Sequence, residues 1–94
     1  MNDRRFEWDQ AKASANLRKH GLSFELVDRV FTGRMFITPD HSADDEERWL
    51  AIGLLGMTVV AVVYTERGAN LIRIISMRRA NSNESATFWQ DYPQ

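Results

Sequence analysis

There is no cysteine in this 94-residue chain. Disulfides, thiolate metal sites and a cysteine nucleophile are therefore excluded, and the chain does not read as a secreted disulfide scaffold. Long apolar runs are also missing. The longest, Met57 to Tyr64, falls far short of the roughly 20 residues needed to cross a bilayer. The opening Met1-Asn2-Asp3-Arg4-Arg5 leads into Phe6-Glu7-Trp8-Asp9 with no apolar run, so no secretory leader is expected and the reading is cytoplasmic, without a membrane partner. Histidine is scarce: His20 and His41 stand in separate segments, without the spacing of a metal-ligand pair, so no metal or other cofactor is expected. No repeat, low-complexity tract or linker breaks the chain. Its length suits one domain spanning 1–94, and a 44% hydrophobic content is ordinary for a packed core.

A net charge of −1 conceals an asymmetry. The segment from Asp40 to Glu47 holds Asp40, Asp44, Asp45, Glu46 and Glu47 and no Lys or Arg; without it, twelve bases face eight acids. From Arg67 to Arg79 there are four arginines and no acid. Such a basic face can bind an anionic polymer whatever the total charge. A solvated strand end beside an acidic loop would read the same way.

The apolar pattern is that of an α+β chain. Arg5 to Trp8 is a short strand candidate. Asp9 is placed to cap a helix that runs to about His20, where Gly21 supplies the left-handed residue ending it. On that helix Ala13 and Leu17 form the more apolar side. Ser23 caps a second helix whose Phe24, Val27, Val30 and Phe31 follow an amphipathic spacing, with Gly33 closing it. Met35 to Thr38 is a short apolar stretch ended by Pro39-Asp40, and an acidic loop follows. Arg48 to Leu54, Met57 to Thr65 and Leu71 to Met77 are strands joined by short links, which makes them antiparallel neighbours. Met57 to Tyr64 is apolar on both alternating sets and should be central, covered on both faces. Asn81 with Glu84 three residues on starts a last helix carrying Phe88, Trp89 and Tyr92. The expected architecture is two N-terminal helices packed on a curved antiparallel sheet, plus a C-terminal helix.

Four pieces together resemble BrnT-type toxins: Phe6-Glu7-Trp8-Asp9, Asn16-Leu17-Arg18-Lys19-His20-Gly21, Thr65-Glu66-Arg67-Gly68, and Arg73-Ile74-Ile75-Ser76-Met77-Arg78. The resemblance runs from about Phe6 to Phe88. It implies a RelE/ParE-like fold, ribonuclease activity that arrests growth, and neutralisation by a cognate antitoxin with a DNA-binding end, through which the toxin would dimerise. One departure is that the last helix of such toxins is usually more basic than Asn81-Ser82-Asn83-Glu84-Ser85.

RNA cleavage without a metal needs a base for the 2′-hydroxyl, an acid for the leaving oxygen, and cations for the charged phosphorane. Histidine titrates nearest neutrality, which singles out His20 with its neighbour Lys19. Arg67, in a tight connection with Gly68, and Arg78, at a wet strand end, complete the catalytic candidates; arginine's planar fork suits a phosphate. Arg18, Tyr64 and Arg79 are the candidate substrate contacts. Each has a plainer role: Arg18, Lys19 and His20 complement a helix dipole, and Tyr64 shares a strand face with Val60 and Val62 as a core aromatic would. Glu7 and Glu84 could supply a carboxylate base, although a strand end and a helix cap explain them. Strict alternation places Ile72, Ile74, Ser76 and Arg78 on one face, and Leu71, Arg73, Ile75 and Met77 on the other. Arg73 is then expected to pair with an acid or to rim a partner interface. A toxin of the same fold that is not a nuclease, or a module that binds only its antitoxin, would share most of these features.

Overall fold

Four of the five strands follow one another as an antiparallel ladder, and the fifth comes from the other end of the chain. The computed structural model describes residues 4–91, so Tyr92, expected on the last helix, lies outside the described residues. In chain order the elements are β1 (Arg5–Glu7), α1 (Gln10–His20), a 3-10 turn (Phe24–Leu26), α2 (Val27–Phe31), β2 (Met35–Asp40), β3 (Arg48–Leu55), β4 (Thr58–Gly68), β5 (Leu71–Arg79) and α3 (Ser82–Asp91). The sheet order is β1-β5-β4-β3-β2. β4 is thus central. The sheet is mixed rather than purely antiparallel, because β1 pairs parallel with β5, Phe6 opposite Ile72. Short links govern only β2 to β5; β1 reaches its partner through the rest of the chain, a connection long enough to return a parallel strand.

Local chemistry accounts for the element ends. Asp9 accepts from the backbone N–H of Lys12 at 2.9 Å, and Gly21 ends α1 in the left-handed conformation with φ 71°. Ser23 caps as expected, accepting from Glu25 N–H at 3.2 Å. The segment behind it is not one amphipathic helix but a 3-10 turn followed by a five-residue helix. Phe24, Val27, Val30 and Phe31 are nevertheless all buried. β3 makes room for them at Gly53, where a Cβ would stand 3.0 Å from Val30 Cγ1.

The sheet separates two cores. The larger gathers Phe24, Val27, Val30 and Phe31 against Val60, Val62, Tyr64, Ile72, Ile74 and Met77. The smaller, on the α3 side, joins Ile52, Val59 and Ala61 to Phe88. On α1 the apolar expectation fails at Leu17, which is 49% exposed, while Asn16 is buried in its place.

A bulge in β5 overturns the strict alternation. Val63 pairs with Ser76 and Tyr64 with Ile74, so Ile75 has no partner on β4 and the register slips by one. Ile72, Ile74 and Met77 therefore all face the larger core. Beyond the bulge Arg78 lies opposite Ala61, and before it Arg73 lies opposite Thr65. Both partners sit on the α3 side of β4, since Val60, Val62 and Tyr64 take the other. Arg73 and Arg78 consequently share a face instead of opposing one another, because cross-strand partners point to the same side.

Candidate active site

The C-terminal end of α1 meets the C-terminal end of β5, and a buried amide joins them. Asn16 is 8% exposed. Its amide donates to the Met77 carbonyl at 2.8 Å and accepts from the Met77 N–H at 3.1 Å. It also donates to the Leu22 carbonyl at 3.3 Å. β1 covers β5 only as far as Arg73, so this side chain occupies the edge that a further strand residue would have filled. The polar groups it meets would otherwise be buried without partners, a cost of roughly 1–3 kcal/mol each.

Two residues beyond Met77, Arg79 pairs with Val60 and so turns toward the α1 side. Its Nη1 donates to the backbone carbonyl of His20 at 2.8 Å, across 59 positions of sequence. That carbonyl belongs to the last turn of α1, where helix carbonyls lack intrahelical donors. A cation there also meets the negative end of the helix dipole. Arg79, Arg18 and Lys19 are exposed and His20 is half-buried. Among the described residues no carboxylate forms an ion pair with Arg18, Lys19 or Arg79. The corner therefore carries an imidazole, a net positive charge and unused N–H donors.

Arg78 is placed differently. Its Nη1 and Nη2 donate to the two carboxylate oxygens of Glu84 at 2.7 and 2.9 Å. Glu84 is also the third residue of the capping box: Asn81 N–H donates to it at 2.9 Å, and its own N–H donates to Asn81 Oδ1 at 2.8 Å. Hydrogen bonds from Arg78 hold the Glu84 carboxyl below its ordinary range, burial works against them, and the Asn81 N–H adds to the lowering. The same Glu84 hydrogen bonds raise Arg78. Instead of an open strand-end cation, Arg78 is a clasp between β5 and α3.

Arg67 stands near the end of β4, beside the start of β5 and away from the α1 corner. It is the unpaired residue of a second register slip, between Glu66 and Gly68, just before the turn into Leu71. Its Nη2 lies 3.6 Å from Glu46 Oε2, and Arg48 approaches the same carboxylate at 3.0 Å. The acidic segment thus folds back on the arginine tip. Seven or eight steps of strand, at about 3.3 Å each, put Arg67 some 25 Å from the α1 corner. One phosphate cannot touch both. Arg73 pairs with Glu7 at 2.9 Å, the acid partner expected of it.

Tyr64 is 6% exposed, its ring edge-on to Phe31 with centroids 5.2 Å apart. Burial, followed by the nearby Glu66, raises its hydroxyl above the ordinary phenol range. It belongs to the larger core. Asn16 contributes to the corner without being among the residues the sequence pattern singles out. An Asn one position from an apolar Leu reads as solvent-facing, and only its place within a helix-end motif set it apart.

A search of curated proteins returns no significant match. The family described as "Ribonuclease toxin, BrnT, of type II toxin-antitoxin system" matches residues 8–84. Among solved structures, the chain is similar to the crystal structure of the Brucella abortus ribonuclease toxin BrnT, with 28% identity and a TM-score of 0.63. The match covers 84% of this chain and 99% of that one. With a family match over most of its length and a solved relative sharing its fold, the chain belongs to the BrnT ribonuclease-toxin family of type II toxin–antitoxin systems.

Proposed function

We propose that RNA is cut at the α1–β5 corner, by proton transfer through His20 and without a metal ion. The observation that carries this reading is the 2.8 Å bond from Arg79 to the His20 carbonyl, which ties a guanidinium to the chain's half-buried histidine. His20 takes the proton of the 2′-hydroxyl and returns it to the leaving 5′-oxygen. Lys19 and the free donors of Arg79 take the non-bridging phosphate oxygens as charge builds on them. Arg18 binds the flanking backbone. Attack by the 2′-oxygen breaks the bond to the 5′-oxygen and leaves a 2′,3′-cyclic phosphate with a 5′-hydroxyl.

In this assignment Arg79 takes the phosphate role for which Arg78 was the sequence candidate, since both terminal nitrogens of Arg78 are engaged by Glu84. Arg67 falls outside the reacting centre and serves at most a distant stretch of backbone. A cognate antitoxin that binds DNA and pairs two toxins would silence the activity by covering this corner.

The test is incubation of purified, antitoxin-free protein with a short RNA in excess EDTA. Cleavage should persist and the new ends should be 2′,3′-cyclic phosphate or 3′-phosphate. A 3′-hydroxyl product, or activity that EDTA removes and magnesium restores, would sink the mechanism.

A further inference from the structure

We propose that Asn16 is a positioning residue for the reaction: its amide sets the end of α1 in register with the end of β5, and this brings His20 and Arg79 together. The inference rests on the reading that RNA is cleaved at this corner. Asn16 touches no reacting atom. It lies one helical turn before Lys19 and His20, and its partner Met77 lies two residues before Arg79, so both ends of the corner hang from one fixed point.

The contact is two-sided. By accepting from the Met77 N–H and donating to the Met77 carbonyl, the amide fixes translation along β5 as well as distance from it. The third bond, to the Leu22 carbonyl, secures the chain just past the Gly21 turn and so holds the helix end from behind. Among the described residues no salt bridge joins α1 to β5. Among the described residues, the other side-chain hydrogen bond between the two elements is the Arg79–His20 bond itself. A shift of about 1 Å at a reacting centre can cost on the order of a hundredfold in rate.

Asn16→Ala removes all three bonds, and Asn16→Asp keeps the size and the acceptor while losing both amide donors. Ile52→Ala, in the core on the opposite face, supplies a loss of stability remote from the corner. Cleavage of a short RNA is measured well below each variant's melting temperature, with the folded fraction read by circular dichroism. Both Asn16 variants should lose more than thirtyfold in kcat with KM within threefold, while Ile52→Ala stays within threefold in both. In parallel, the backbone resonances of His20 and Gly21 and the guanidinium resonance of Arg79 should move in Asn16→Asp and stay in place in Ile52→Ala.

Loss of cleavage only in proportion to the unfolded fraction would make Asn16 a stability residue and overturn the proposal. Failure of both Asn16 variants to fold at 10 °C would do the same. Unmoved His20 and Arg79 resonances would also overturn it. If the unmodified protein cleaves nothing, the reading of the corner as a ribonuclease site fails, and the resonance comparison still decides whether Asn16 sets the geometry.

Discussion

At one end of the β4–β5 hairpin, Arg79 reaches a backbone carbonyl on α1; at the other, Arg67 on β4 reaches the carboxylate of Glu46, while Arg73 on β5 is held by Glu7. The partners differ in charge, and that decides what each arginine can still do. A carbonyl orients a guanidinium without cancelling its charge, so the α1 end keeps a positive field made by Arg18, Lys19 and Arg79. A carboxylate cancels the charge and fills the fork. Counting arginines along a hairpin therefore overstates its capacity for phosphate, and the acids folded back from elsewhere in the chain correct the count.

The contrast between the two ends is broken most directly at His20. His20→Ala should lower kcat by about 10²-fold or more, the usual scale for a lost general acid or base. Circular dichroism should show an unchanged fold, and an active His20→Ala would mean the chemistry lies elsewhere. Arg79→Ala comes next. Losing one donor to a charged transition state costs about 3 kcal/mol, roughly a hundredfold, and the loss should exceed that of Arg67→Ala by at least tenfold at matched salt.

Arg78 sharpens the comparison through stability instead. Arg78→Ala and Glu84→Ala should each destabilise by about 1 kcal/mol, the upper range for a partly exposed pair with good geometry. The double variant should cost little more than either alone, a shortfall that a double-mutant cycle in urea would measure. The folded state holds Glu84 below its unfolded value. Its contribution is accordingly complete above the unfolded carboxylate range and disappears as pH falls through the lowered folded value. Glu84→Gln should flatten that acid limb. The smallest effect belongs to Arg67→Ala. Its pair with Glu46 is half-exposed at 3.6 Å, so stability should move by less than about 0.5 kcal/mol and cleavage of a short RNA by less than threefold.

Where local chemistry determines structure, the sequence was readable. Asp9, Gly21 and the Asn81–Glu84 pair act through neighbours within four residues, and each does in the fold what its type and spacing announced. The centrality of β4 was equally legible, because a strand apolar on both faces has to be covered twice. What escaped reading depends on partners far away in the chain. The bulge at Ile75 appears only when β5 pairs with β4, and that one slipped residue puts Arg78 on the face of Arg73. The burial of Asn16 is not legible locally, because its partner Met77 lies 61 positions later. The same distance hid the parallel pairing of β1; the α1 motif and Arg79 were legible as candidates, but not the bond from Arg79 to His20 that joins them.

The parallel contact between β1 and β5 has a consequence for how the protein is made. Phe6 waits for Ile72, and Asn16 waits for Met77. As the chain leaves the ribosome, its helix-end histidine has been exposed for tens of residues before any arginine of β5 exists to join it. Contacts of such high sequence separation form late and slowly. Nascent or truncated chains ending before β5 carry His20 without its partners, so the corner assembles only after β5 has been made.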